Sequence, residues 1–467
     1  MSRLVVVSNR VGPVRESAKA GGLAVAIVDA LRAQGGVWYG WSGDVTPEGT
    51  HGMLKTEQAG RISLMTLDID QADYEGYYAG FSNRTLWPIF HYRLDLAQFD
   101  RELEKSYWTV NERFATRLYP MLQDDDVVWV HDYHFLALGA KLRAMGARQP
   151  IGFFLHIPFP VPEIIAALPG HAALVRAMLA YDVIGFQTKR DARAFIRYFE
   201  EEFGGTATAD GHLTVQGRTV RVGAFPIGID AETFRKFAMS PEAHRQGRRL
   251  KSSSEHRCHV IGVDRIDYTK GLVERFRAFS RLLEHYPENR GHVSLLQVAP
   301  ASREDVDAYV DIREELERIT GNVNGRFSDL HWTPIRLITR PLQRRSLAGL
   351  YRACQVGLVT PLRDGMNLVA KEYVAAQAED DPGVLVLSRF AGAAEALDAA
   401  LIVNPYDIDE TAEAIQRAVI MPLDERQDRW RQLFDKVQTE DIRAWYSTFL
   451  SALGAAGHDT RDAIPEL

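Results

Sequence analysis

Cysteine is nearly absent from this chain: of its 467 residues only Cys258 and Cys354 carry thiols, and they stand far apart. That excludes a disulfide framework and a closely spaced thiolate metal site, and it suits a reducing cytoplasm. Long apolar runs are missing as well. The opening MSRLVVVSNR holds only a short one, well below a signal-peptide core, and no later run reaches the length of a membrane span. A soluble, unexported protein is expected. Positive charge is not in excess: 55 Lys and Arg against 62 Asp and Glu give a formal net charge of −7. Neither nucleic acid nor an anionic membrane is therefore expected as a partner. The basic run His244 to Lys251 reads as a solvated helix face or linker. Internal repeats and low-complexity tracts are lacking, and so is the dinucleotide fingerprint G-x-G-x-x-G. The acidic run Asp124-Asp125-Asp126 precedes a strand and reads as a solvated turn.

What remains is the composition of an ordinary globular protein, 46% hydrophobic and 25% charged, in a chain long enough for two or three domains. Short apolar runs alternate with longer helical patterns. LVVVSNR, VVWVHDYH, IGFFLHIP and DVIGFQT come first; HVIGVDR, VSLLQVAP, VGLVTPL and GVLVLS follow. Such alternation predicts βαβ units and mainly parallel sheets. The two sets are separated by the polar stretch Ser240 to His259, which lacks strand character, and the junction is placed near residues 230–240. The expected division is 1–235, 236–442, and a C-terminal helix and tail, 443–467, packing back towards the first domain. Ligands of open parallel sheets bind beyond the carboxyl ends of strands, so the residues following these runs are the site candidates.

The most informative of them lie in LVTPLRDGMNLVAKEYVAAQ, Leu358 to Gln377. A strand ends in a polar turn, and Gly365-Met366-Asn367 opens an apolar helix whose free N–H groups suit an anion. Asp364 and Glu372 flank this turn, placed to grip sugar and ribose hydroxyls; capping of the helix is the plainer alternative. In Val263 to Gly271, Arg265 and Lys270 stand before a helix, Leu272 to His285. Cations at a helix start are disfavoured unless an anion intervenes, which points to a diphosphate. Arg10 ends the first strand, and Gly21-Gly22 open the following helix, either to approach a phosphate or as a tight turn. His131-Asp132-Tyr133-His134 and His156 follow strands and offer hydrogen bonds to sugar hydroxyls. Metal-ligand spacing is lacking around them. Tyr77, Tyr78, Trp87, His91 and Tyr92 form an aromatic-rich segment, and Arg303 follows the strand VSLLQVAP.

These stretches, together with AGGLAV, WSG, FSN-x-x-LWP-x-FHYR, GFFLHIPFP, PIGI and the D-Y-x-K-G turn, closely resemble the trehalose-6-phosphate synthase family over essentially the whole chain. The resemblance implies an α/β, GT-B fold: two Rossmann-like domains with mainly parallel sheets facing across a cleft. It implies a retaining glucosyltransferase that joins glucose from a nucleotide sugar, UDP-glucose being favoured, to glucose 6-phosphate. Arg10, Tyr78, Trp87, Asp132 and Arg303 are then the acceptor set. Gly22, Arg265 and Lys270 face the diphosphate, and Leu368 and Val369 present amides to it. His156, Asp364, Met366 and Asn367 contact the donor glucose, Glu372 the ribose, and Arg340 lies in the segment towards the base. Arg265, Lys270, Asp364 and His156 carry the chemistry, with no cofactor and no metal. A cytoplasmic homo-oligomer, dimer or tetramer, is implied. A different phosphorylated acceptor, glycerol 3-phosphate or a cyclitol phosphate, is the alternative, and a catalytically silent sugar-phosphate sensor is the reading from another class.

Overall fold

The computed structural model describes residues 2–12, 22–50, 52–252, 257–302 and 307–459. They form two compact α/β units. One runs to Ile227 and resumes at Arg443; the other is Gly228–Ile442.

In the first unit the strands are β1 (Leu4–Arg10), β2 (Gly36–Thr46), β3 (Lys55–Ala59), β4 (Ile62–Asp70), β5 (Val127–His131), β6 (Ile151–Phe154), β7 (Val183–Phe186), β8 (Thr206–Ala207), β9 (His212–Val215) and β10 (Arg218–Ala224). Their order across the sheet is β3-β4-β2-β1-β5-β6-β7-β10-β9-β8. From β4 through β10 every pairing is parallel, while β3 and the β10-β9-β8 ladder run antiparallel at the edges. Leu4 to Val7, Val128 to Val130 and Phe153 to Leu155 are all buried, as continuous apolar runs covered on both faces must be. The chain leaves β1 for β2 on one side and returns to β5 on the other, so the topological switch point lies between β1 and β5.

The C-terminal helix, Ile442–Asp459, packs on this sheet. Trp445 and Phe449 meet the Trp129 ring at centroid distances of 4.9 and 4.8 Å. The glycines of IGFF and VIGF make room for it: a Cβ on Gly152 or Gly185 would lie 2.8 or 2.7 Å from the Phe449 ring.

The second unit has six parallel strands: β11 (Cys258–Val263), β12 (Val293–Val298), β13 (Ile335–Ile338), β14 (Val356–Val359), β15 (Val384–Ser388) and β16 (Leu401–Val403). They are ordered β13-β12-β11-β14-β15-β16. Here too the chain starts in the middle, and the switch point lies between β11 and β14. The helix Leu272–His285 lays Leu272, Phe276, Phe279, Leu282 and Leu283 onto the sheet, and Arg275 lies on the same buried stripe.

Three expectations are revised. The boundary at residue 235 falls inside the helix Ala231–Ala238, whose N-cap Asp230 accepts from the Thr233 N–H at 2.8 Å; the units divide earlier, at Ile227. The stretch without strand character ends before Cys258, since Cys258 and His259 already belong to β11; ahead of it the helix Pro241–Ser252 carries the basic run His244 to Lys251 on an exposed face, as expected. Asp126 is not solvated: it is buried and receives Arg3 Nε and Nη2 at 2.8 and 2.7 Å and the Gln123 N–H at 2.8 Å. Among the described residues no helix is long and apolar enough to cross a membrane.

Candidate active site

In the first unit the candidate residues gather at the carboxyl ends of β1, β2, β5 and β6. Arg10, exposed at the end of β1, holds its guanidinium 5.8 Å from the centroid of the Trp41 ring. Trp41 meets Tyr78 edge-on at 5.3 Å, and Tyr78 stacks on His134 at 5.9 Å with an interplanar angle of 14°. His134 touches Tyr133 at 4.0 Å, and Tyr133 touches Trp87 at 5.6 Å. This run of rings joins Arg10, Tyr78 and Trp87 to the His131–His134 turn.

Tyr78 is presented by a π-helix, Tyr74–Leu86, a widened form that recurs at functional sites. Within it Tyr77 is buried and donates to Asn9 Oδ1 at 2.8 Å, whereas Tyr78 stays partly exposed. Trp87 and His91 are buried, and Tyr92 accepts from the Val161 N–H at 3.0 Å. Of the aromatic segment, therefore, Tyr78 and Tyr92 stay partly exposed, whereas Tyr77, Trp87 and His91 are buried.

Asp132 directly follows β5 with φ 73° and ψ 168°. A non-glycine residue held there carries strain of about 1–3 kcal/mol, and such strain clusters at functional positions. Its Oδ1 accepts from the His156 N–H at 3.2 Å. The His156 ring lies 3.0 Å from His131 Nδ1 through Nε2 and 3.2 Å from Gln187 Nε2 through Nδ1. Burial lowers the His156 pKa to about 3, and burial together with neighbouring His156 lowers that of His131. Burial thus disfavours the imidazolium form of both rings. Gly22 begins the helix Gly22–Gln34. Gly21 and Arg303 lie outside the described residues.

In the second unit the loop after β11 separates its acids by task. Asp264 pairs with buried Arg275 at 2.9 Å. Asp267, fully buried, accepts from the Thr269 N–H at 3.0 Å and holds Arg265 Nη2 at 2.9 Å. Gly271 follows with φ 62°, and a Cβ there would fall 2.3 Å from the Thr360 carbonyl oxygen. Glycine thus lets this loop close against the end of β14. Lys270 Nζ reaches Asp364 Oδ2 at 2.5 Å, and Asn367 Nδ2 donates to the same oxygen at 3.0 Å. The Asp364 backbone is fixed in turn, its N–H donating to Phe390 O at 3.1 Å and its carbonyl accepting from the Gly392 N–H at 3.1 Å.

Asn367, at φ 73°, is the last residue before the helix Leu368–Ala376. The amides of Leu368 and Val369 open that helix, where N–H groups have no intrahelical acceptor. Met366 is buried and its carbonyl takes the Ala393 N–H at 2.8 Å. Glu372 lies 3.5 Å from Arg344 Nη2. Burial raises its pKa, and Arg344 draws it back. Arg344 is itself seated over Phe234 and Phe237, at 5.5 and 5.8 Å from their ring centroids. Arg340 is exposed beyond the edge strand β13, two strands away from the switch point.

Three contributors escape a reading of the sequence: Arg275, Arg344 and Gln187. Arg275 had a signal, a charge on an otherwise apolar helix stripe. Gln187 follows β7 directly and meets the strand-end rule. Arg344 had none, because its partner Glu372 comes from another helix.

Two Rossmann-like units define this chain as a GT-B protein. The switch point of the second unit joins two cations, a helix N-terminus and carboxylates, the equipment of a nucleotide-sugar-dependent glycosyltransferase. The model of glycosyltransferase family 20 matches residues 4–455, and the chain belongs to that family. It is 48% identical to the trehalose-6-phosphate synthase of Sinorhizobium fredii, over 98% of this chain and 99% of that one. A crystal structure of an α,α-trehalose-phosphate synthase (UDP-forming) from Burkholderia xenovorans, in complex with glucose 6-phosphate, superposes with a TM-score of 0.93. It is 51% identical and covers 97% of this chain and 100% of its own. An Escherichia coli protein solved with UDP-2-fluoro glucose gives a TM-score of 0.93 at 46% identity, covering 100% of both chains.

Proposed function

We propose that this enzyme transfers glucose from a nucleotide sugar to glucose 6-phosphate, with retention at the anomeric carbon, giving α,α-trehalose 6-phosphate and a nucleoside diphosphate. The observation that carries the reading is the Lys270–Asp364–Asn367 cluster at the N-terminus of the helix Leu368–Ala376. In that cluster an ammonium and a carboxylate neutralise each other. A bound donor divides them: the diphosphate takes Lys270 together with Arg265 and the helix amides, and a glucose hydroxyl takes Asp364. As the glycosidic bond breaks, negative charge grows on the diphosphate oxygen, and these fixed cations and N–H groups stabilise it. Positive charge grows on the anomeric carbon. Retention by a carboxylate nucleophile needs two carboxyl groups about 5 Å apart; Asp264 and Asp267 are instead committed to Arg275 and Arg265, and Asp364 to a glucose hydroxyl. On the family resemblance, front-face attack is the favoured mechanism, in which a leaving phosphate oxygen accepts the proton of the acceptor hydroxyl.

Arg10, Tyr78, Trp87 and Asp132 form the acceptor set, with Arg10 and Arg303 towards the phosphate. Gly22 faces the diphosphate, Arg340 the base, Met366 and Asn367 the donor glucose, and Glu372 the ribose. UDP is the favoured base, in line with the nucleotide bound to the Escherichia coli relative. The cytoplasm and a dimeric or tetrameric assembly belong to the same reading, on the family resemblance. Nucleotide release from UDP-, GDP- and ADP-glucose, with glucose 6-phosphate, glycerol 3-phosphate or a cyclitol phosphate as acceptor, tests it. The expected result is release that depends on glucose 6-phosphate and is fastest with UDP-glucose. Release supported equally by another acceptor removes the acceptor assignment.

Glu372→Gln is expected to weaken donor binding about 10- to 100-fold, the equivalent of a hydrogen bond to a charged group, about 1.5–3 kcal/mol. Calorimetric titration with the nucleoside diphosphate reads this directly.

A further inference from the structure

Parallel pairing brings three side chains level at the ends of β5, β6 and β7. The Asp132 N–H donates to Phe154 O at 2.8 Å and the Leu155 N–H to Gly185 O at 2.9 Å, so the residues just beyond these strands lie side by side. There the hydrogen bonds run in a single direction. Gln187 is buried, and its Oε1 accepts from the Ile227 backbone N–H at 2.9 Å. A backbone N–H can meet only the amide oxygen, so the orientation of the Gln187 amide is decided and its NH₂ faces His156 Nδ1 at 3.2 Å. An NH₂ group only donates. His156 Nδ1 therefore bears a lone pair, its proton is on Nε2, and that N–H donates to His131 Nδ1 at 3.0 Å. His131 Nδ1 bears a lone pair in turn and its proton sits on Nε2, in a ring packed against Trp129 at 4.4 Å and Trp445 at 6.2 Å.

We propose that Gln187 is a positioning residue of the transfer reaction: its amide locks His156 as the neutral Nε2–H tautomer and bars the imidazolium from the donor glucose. This rests on the reading that His156 lies beside that sugar. A proton added to His156 Nδ1 would point at the Gln187 NH₂, donor against donor, with no acceptor in reach. The titratable group facing the His156 ring is His131, from the β5 end; the Asp132 carboxylate, from the same end, meets the His156 backbone N–H rather than the ring, and Gln187 from the β7 end and Trp445 from the C-terminal helix are uncharged. Positive charge develops on the anomeric carbon in the transition state, and a cationic imidazole next to it would oppose that charge. Holding the ring neutral removes the opposition across the pH range in which a free histidine titrates.

Histidine-selective ¹⁵N NMR of the whole enzyme, together with Gln187→Glu, tests this. In the wild type His156 and His131 are expected to remain neutral with the proton on Nε2 from about pH 5 to 8. In Gln187→Glu the carboxylate accepts, the proton moves to His156 Nδ1, and the imidazolium is favoured. Turnover should then fall about tenfold for each pH unit below the new imidazole pKa, with KM for glucose 6-phosphate unchanged. A wild-type His156 protonated on Nδ1 overturns the proposal without reference to any variant, including one that fails to fold. A moved proton with an unchanged pH profile leaves the hydrogen-bond chain standing and overturns the placement of His156 beside the donor glucose.

Discussion

Lys270→Ala is expected to lower turnover about 10²- to 10³-fold at saturating substrates, the effect of deleting one preorganised donor to a developing oxyanion. The ammonium is only 15% exposed, so its interaction with a diphosphate is little screened by solvent. The fold should survive, because Asp364 keeps the Asn367 hydrogen bond and its two backbone anchors when Lys270 is removed. Steady-state nucleotide release, paired with a thermal melt, separates the two effects. A variant within about twofold of the wild-type rate would place the leaving group elsewhere.

Arg275→Ala is expected to destabilise the second unit by about 3–5 kcal/mol, the range for removing one partner of a buried ion pair. No part of Arg275 is exposed. It pairs with Asp264 at 2.9 Å, donates to Thr360 Oγ1 and Gln297 Oε1 at 3.0 Å each, and reaches the Lys270 carbonyl at 3.4 Å. It thereby ties the ends of β11, β12 and β14 to the loop that carries Lys270. Its loss leaves a buried carboxylate whose pKa is already raised by desolvation and is lowered chiefly by Arg275 itself. Urea denaturation should show the lowered midpoint. The double variant Arg275→Met with Asp264→Leu should recover much of the loss, since a buried pair replaced by apolar residues of similar size is often neutral or better. No recovery would mean that the hydrogen bonds to Thr360 and Gln297, rather than the ion pair, hold the loop.

How much of this was legible before the fold was known follows from burial. LVVVSNR, VVWV, GFFL and HVIGV read as strands because a strand covered on both faces is apolar without interruption. β2 and β4 escape that reading: GVWYGWSGDVT and ISLMTLDID are buried over only part of their length, so polar residues interrupt both runs. The edge strands β8 and β9 are shorter and more polar still. Among the site residues, Asp132, His156, Lys270 and Asp364 were legible because each follows a strand end, where open parallel sheets bind their ligands. Their pairings were not. Gln187 meets His156, Asp364 meets Lys270 and Arg344 meets Glu372 only through the spatial order of strands and helices, which no local pattern encodes. The same holds for Asp126, whose surroundings in the sequence are those of an exposed turn and whose carboxylate is held by Arg3, the residue just before the adjoining strand β1.

The central claim is the bond that forms. Incubation of the enzyme with UDP-glucose and glucose 6-phosphate, followed by NMR of the purified sugar product, tests it most directly. The account predicts a disaccharide monophosphate with two α-anomeric protons and no free reducing end, the signature of an α,α-1,1 linkage. A β-anomeric signal at the transferred glucose, a linkage that leaves a reducing end, or free glucose released with the nucleotide would contradict it.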